Sequence, residues 1–210
     1  AVTGQPATAF PGAEIDVDRA IRWAKTMAPQ WGNAPHVIVA GQSAGGNLAL
    51  MAALAPGRFV DPNLEPSLAA VSPLVMGALS LAGPVDIANM WSIQGWHTQV
   101  LAPYLGCDPC DTTRVAAANP LTYLGTAPVP PVYLAYGEQD WLIPPDVHGA
   151  LTAAALMRAR GDQDRPIPAR GVWYELADVG HTVDVEHMNV RYFDLWLDWV
   201  IENRWPVPGA

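Results

Sequence analysis

Gly41-Gln42-Ser43-Ala44-Gly45 carries types and spacing that suit nucleophilic chemistry. A Gly-x-Ser-x-Gly run between an apolar strand and a helix puts its serine on a sharp, strained turn. Flanking glycines make room where a Cβ would clash. The hydroxyl then projects at the positive end of the following helix. A serine hydroxyl is a weak nucleophile, so it needs a base, and the base needs a third group to orient it. The chain order Ser, acid, His suits such a turn. Asp140, in Gly137-Glu138-Gln139-Asp140, supplies the acid, and His181, after Gly180, supplies the base.

Other residues compete for these roles. Asp86, in Gly83-Pro84-Val85-Asp86, is the second choice of acid, and its ordinary role would be to cap the segment after it. Glu138 lies close to Asp140 but fits less well, and Asp184 is too near His181 in sequence. His36 falls at a strand entrance, the wrong end of the sheet. His148 and His187 fall in helical stretches and read as solvated. His97, in Gly95-Trp96-His97, is the rival histidine and would line a pocket. The backbone N–H of Ala44 is the expected oxyanion donor, with Gln42 a weaker candidate. Trp91, Trp96, Tyr104, Trp141 and Leu142 would wall an apolar acyl or aryl pocket; otherwise the tryptophans are core of their own segment.

These side chains need a scaffold that brings distant residues together. His36-Val37-Ile38-Val39-Ala40 is a short apolar run of the kind found in buried parallel strands. Residues 75–81, 131–136 and 172–176 read as three more strands. Asp140 and His181 follow the third and fourth, at carboxyl ends, where open α/β sheets bind ligands. Helices are expected over 14–28, from after Gly46 to about 55, over 146–159 and over 185–203. In the first, Ile15, Ala20, Ile21, Trp23, Ala24 and Met27 favour the apolar side, and Asp16, Arg19, Arg22 and Lys25 the polar one. In the last, Phe193, Trp196, Leu197 and Val200 mark the dry face and Asp194, Asp198 and Glu202 the wet one. Strands alternating with helices argue for a parallel α/β sheet. Residues 87–124 show no sustained period and read as an inserted excursion with one or two short helices.

The chain has 210 residues, which fits one domain. Net charge is −9, with a single lysine, Lys25. That balance argues against a nucleic-acid binder and against docking on an anionic membrane. No N-terminal targeting signal is visible, and a cytoplasmic location is slightly favoured over a secreted one. The uncharged stretch 66–85 is interrupted by Pro73, Gly77 and Pro84 and reads as a strand with flanking loops rather than a membrane span. Cys107 and Cys110 read as ordinary loop thiols, with a local disulfide as the second reading, and they lack a second pair to complete a zinc site.

The chain resembles the α/β-hydrolase superfamily, and within it the esterase/lipase branch of hormone-sensitive-lipase-like and feruloyl- or acetylxylan-esterase-like members. The resemblance is carried by Phe10-Pro11-Gly12-Ala13-Glu14, residues 41–47, Ala118-Asn119-Pro120-Leu121, residues 130–140 and Gly180-His181. It implies a three-layer fold, a parallel sheet with helices on both faces. It also implies Ser43 as nucleophile, Asp140 as acid, His181 as base, and 87–124 as a small cap. The implied reaction is hydrolysis of a small-molecule carboxylic ester through an acyl-enzyme, with no metal or organic cofactor. A peptidase or amidase of prolyl-oligopeptidase-like or formamidase-like type would use the same residues, although Ala44 after the serine disfavours it. An acyltransferase is a further alternative, as is an inactive fragment that acts only in binding. Such enzymes usually carry further strands and a His-Gly-Gly oxyanion loop ahead of Phe10. The chain is therefore expected to be the C-terminal portion of a longer esterase, or a truncated gene product. A dimer or a missing N-terminal segment would then lie along the exposed strand edge.

Overall fold

The computed structural model describes residues 9–31, 36–91, 95, 97–108, 110–165, 171–183 and 187–203. Four strands form one sheet: β1 (Ile38–Gln42), β2 (Gly77–Leu81), β3 (Val132–Gly137) and β4 (Val172–Ala177). They lie side by side in chain order and every pairing is parallel. Parallel neighbours require long crossovers; among the described residues these hold six of the α-helices, with one helix before the first strand and one after the last. The helices are α1 (Gly12–Met27), α2 (Ala44–Leu54), α3 (Pro66–Ala69), α4 (Ile87–Trp91), α5 (Ala102–Leu105), α6 (Thr112–Ala117), α7 (Leu151–Arg160) and α8 (Val190–Asn203). β1 and β4 are the edge strands among the described residues; the residues of β1 are half-buried or exposed, whereas all of β3 is buried.

Side chains alternate across the sheet. On one face Tyr133 of β3 meets Phe193 and Trp196 of α8 edge-on. Trp196 is fully buried and donates its indole N–H to the Gly171 carbonyl at 3.3 Å. Truncating a core aromatic of this kind costs about 3–5 kcal/mol. On the opposite face lie Ser80 and Tyr136, covered by α2 and by a π-helical turn, Asp146–Ala150, that leads into α7. Helices on both faces give the three layers that the sequence implied. α8 begins later than the expected residue 185, because Asn189 accepts from the Tyr192 N–H at 3.2 Å and caps it; residues 184–186 lie outside the described residues.

The roll of α1 differs from the amphipathic reading. Arg22 and Lys25, expected on the wet side, are buried, and Trp23 is half exposed. The reason is the connection after α3, which has carbonyls but no ladder to satisfy them. Arg22 donates to the Val71 carbonyl at 2.5 Å and Lys25 to those of Ser72 and Leu74 at 3.0 and 2.5 Å. Asp18, also buried, holds the Arg22 guanidinium at 2.6 Å. Burial, and secondarily Arg22, pushes the Lys25 ammonium below its ordinary value.

Segment 87–124 is richer in helix than expected, with α4, α5, α6, a π-helical turn (His97–Leu101) and a 3-10 turn (Pro120–Tyr123). Cys107 and Cys110 are joined by a disulfide rather than being free thiols. Their Cα atoms, three residues apart in sequence, stand 5.1 Å apart, inside the bridging range. The segment is tied to the start of α1. Phe10 donates its N–H to the Tyr104 carbonyl at 2.5 Å, and Arg114 donates to the Phe10 carbonyl at 2.8 Å. Among the described residues no helix is long and apolar enough to cross a membrane.

Candidate active site

β1 ends at Gln42, and the chain turns at Ser43 into α2. Ser43 sits at φ 54°, ψ −120°, a backbone state that costs a non-glycine residue about 1–3 kcal/mol. Two backbone bonds hold it there. Its N–H donates to the Leu81 carbonyl of β2 at 2.8 Å, and its carbonyl accepts from the Asn47 N–H at 3.1 Å. Gly41 is required by close approach, since a Cβ there would run into the Gly45 carbonyl. Gly45 differs from expectation: a Cβ on it would meet nothing within 4 Å. The tight packing falls instead on Gly46, whose Cβ would stand 2.8 Å from the Gly83 Cα, so α2 rests on the turn after β2.

That turn, 81–86, is itself wired in place. Ala82 adopts φ 47° and donates its N–H to the Ala135 carbonyl at 2.8 Å. The Tyr136 hydroxyl donates to the Gly83 carbonyl at 2.6 Å and the Asn47 amide to the Pro84 carbonyl at 2.7 Å. The N–H groups of Val85 and Asp86 both donate to His148 Nδ1, each at 3.2 Å. His148 is therefore not solvated as its helical setting suggested: it is fully buried. Burial drives its pKa below the ordinary imidazole value, against the opposing charges of Asp86, Asp140 and Asp146.

Asp140 follows β3 and is only 3 % exposed. Its Oδ1 accepts from the N–H groups of Leu142 and Ile143, both at 2.9 Å. Its Oδ2 lies 2.8 Å from His181 Nδ1, and His181 Nε2 lies 2.9 Å from Ser43 Oγ. A carboxylate oxygen only accepts, so Nδ1 carries the imidazole proton and Nε2 receives the serine O–H. The His181 side chain is 27 % exposed, open enough for a reacting group to approach. The arrangement can draw a proton from Ser43 and hold the resulting imidazolium against Asp140.

Asp86 does not share this line; its Oδ1 accepts from the Asn89 N–H at 3.0 Å and caps α4. Glu138 and His36 are exposed, as is His187, which lies in the turn before α8. Gln42 reaches toward the His181 carbonyl at 3.5 Å. Ala44 is the first residue of α2, so helix geometry leaves its N–H without an intrahelical acceptor. Trp141 is 76 % exposed beside the acid, and Leu142 is half-buried against the core. Tyr104 is turned toward α1, where its hydroxyl donates to Glu14 Oε1 at 2.6 Å. Trp96 and Asp184 lie outside the described residues, as do the side chains of Trp91 and His97. A groove of about 320 Å³ runs between α4 and α6, lined by Ala88, Cys110, Thr112, Val115, Ala116 and Asn119, and none of the three aligned residues borders it. Among the described residues no group of three or more His, Cys, Asp or Glu is placed to hold a metal ion.

A parallel sheet with a strained serine turn after the first strand, and an acid and a histidine after the third and fourth, defines an α/β hydrolase. The BD-FAE family profile matches residues 4–154, and the chain belongs to that family, within the esterase branch of the superfamily. Over 191 residues it is 30 % identical to the probable carboxylic ester hydrolase LipM of Mycobacterium tuberculosis, covering 86 % of this chain and 40 % of LipM. It is also 30 % identical, over 156 residues, to the esterase LipQ of the same organism, covering 71 % of this chain and 35 % of LipQ. The chain thus spans less than half the length of these relatives. Among solved structures, the bifunctional GH43-CE protein of Bacteroides eggerthii superposes with a TM-score of 0.72 at 22 % identity, over 92 % of this chain and 27 % of that one. At that identity the likeness concerns the fold.

Proposed function

We propose that the chain hydrolyses carboxylic esters with Ser43 as nucleophile, His181 as general base and acid, and Asp140 as the orienting carboxylate. The observation that carries this reading is the unbroken hydrogen-bonded line Asp140–His181–Ser43, with separations of 2.8 and 2.9 Å. His181 Nε2 takes the Ser43 proton as Oγ attacks the ester carbonyl. Asp140 holds the tautomer and stabilises the imidazolium. The imidazolium then protonates the departing alcohol, which leaves an acyl-serine. Water, deprotonated by the same nitrogen, attacks that acyl group, and Ser43 recovers its proton as the acid departs. The Ala44 N–H serves the oxyanion; one such donor is worth about 10²–10³ in rate. Segment 87–124 acts as the cap, and Trp141 lines the entrance on the acid side. The names of LipM and LipQ support the same reaction class.

The test is labelling with a fluorophosphonate probe, read by intact mass, with Ser43→Ala as control. One adduct per chain, absent from the variant, is the expected result. A folded sample that takes no label, or a Ser43→Ala variant that still does, overturns the assignment.

A further inference from the structure

His148 is the buried titratable group that the proposed reaction does not use. It stands on the π-helical turn six to ten residues after the acid, and that turn is anchored to the acid's own loop: the His148 N–H donates to the Pro144 carbonyl at 2.9 Å. Its ring reaches the other side of the site. Nδ1 accepts two N–H groups, from Val85 and Asp86, in the turn that packs beneath Gly46 and follows the Leu81 carbonyl bonded to Ser43. We propose that His148, as the neutral imidazole with its proton on Nε2, is a positioning residue that clamps the 81–86 turn under the nucleophile to the loop that carries the acid.

The argument is one of donors and acceptors. A nitrogen that accepts two N–H groups has its lone pair toward them, so the ring proton sits on Nε2. Nε2 is buried and has no hydrogen-bond partner. An imidazolium would turn a third N–H toward Val85 and Asp86 and lose both bonds. The charged groups around the ring are Asp86 on the turn it holds, Asp140 on the acid loop and Asp146 on its own turn. Tyr136 and Tyr174 of β3 and β4 pack against the same turn at Gly149. All three carboxylates favour the charged ring. The burial that opposes them keeps the ring neutral and the clamp closed. Protonation would release 81–86, and with it the Leu81 carbonyl that fixes Ser43. The inference deepens the hydrolase reading and rests on it for its kinetic consequence alone.

Two measurements test it. The first needs no turnover: ¹⁵N-histidine NMR of the intact chain, with amide exchange at Val85 and Asp86. The expected spectrum places His148 in the Nε2–H form at pH 7, with both amides protected until the pH falls through its ionisation. A protonated Nδ1 at pH 7, or unprotected amides, overturns the clamp. The second is kinetic, with His148→Asn, whose side-chain oxygen replaces Nδ1 as acceptor without titrating, and His148→Leu, which removes the acceptor. The expected outcome is a kcat at least tenfold down in His148→Leu with KM within threefold, and kcat restored to within about threefold of native in His148→Asn. The acid limb of kcat/KM should also lose one ionisation in His148→Asn. Equal damage in both variants, or native kcat in His148→Leu, overturns the positioning role. A wild-type chain that turns over no ester sinks the hydrolase reading, and the NMR result then decides the clamp by itself.

Discussion

At the scale of single residues, Asp140 does two jobs with two oxygens, and substitutions separate them. Oδ2 faces the imidazole, while Oδ1 satisfies the N–H groups of Leu142 and Ile143. Asparagine keeps an oxygen for those amides and presents an NH₂ to His181, which forces the wrong tautomer. Asp140→Asn should therefore lower kcat by about 10³–10⁴ with little loss of stability. Asp140→Ala should lose the same activity and also leave two donors unsatisfied, each worth about 1–3 kcal/mol. Thermal melts and ester kinetics on both variants check this; equal melting temperatures would show that the Oδ1 bonds hold nothing. The candidate trio Ser43, Asp140 and His181 was legible in the sequence because each follows a glycine by one to three residues, past the end of an apolar run. His148 was not, since a polar ring inside a helical stretch reads as surface. A signal was present: His148, Thr152 and Leu156 recur at helical spacing, and all three are buried.

At the scale of elements, the serine turn sets two glycines of one motif apart. Gly41 abuts the Gly45 carbonyl, whereas Gly45 faces open space and lies inside α2. Gly41→Ala should cost at least about 2 kcal/mol, because only backbone can yield to the new methyl. Gly45→Ala should be neutral or stabilising by up to about 1 kcal/mol, through helix propensity. Chemical denaturation of the pair settles it, and equal losses would refute the asymmetry. The motif's spacing is visible in sequence, but which glycine is sterically required depends on the approach of α2 to its own strand. The same limit explains α1. Periodicity located the helix well and misjudged its faces, because Arg22 and Lys25 answer to carbonyls more than forty residues away. Four strands were legible to within two residues or so, since short, largely apolar runs depend little on distant partners.

For the whole molecule, the parallel direction of the strands followed from strand–helix alternation, whereas segment 87–124 did not follow from anything periodic. Its helices are short, and contacts to distant residues hold it in place. One of these carries a pH signature. Glu14, 4 % exposed, accepts the Tyr104 hydroxyl on Oε1, while its buried Oε2 has no partner. Burial raises its pKa above the ordinary 4.5, with the Tyr104 bond opposing. A raised folded-state value means the contribution is fully present below 4.5 and is lost as pH climbs through the folded value. Glutamine does not titrate, so it keeps no such dependence. The melting temperature of Glu14→Gln relative to wild type should therefore rise between pH 4 and pH 8. Calorimetric scans across that range provide the check. A difference that stays flat with pH would mean that the carboxyl finds water or a partner on opening, and that the junction of α1 with segment 87–124 does not sense protons through Glu14.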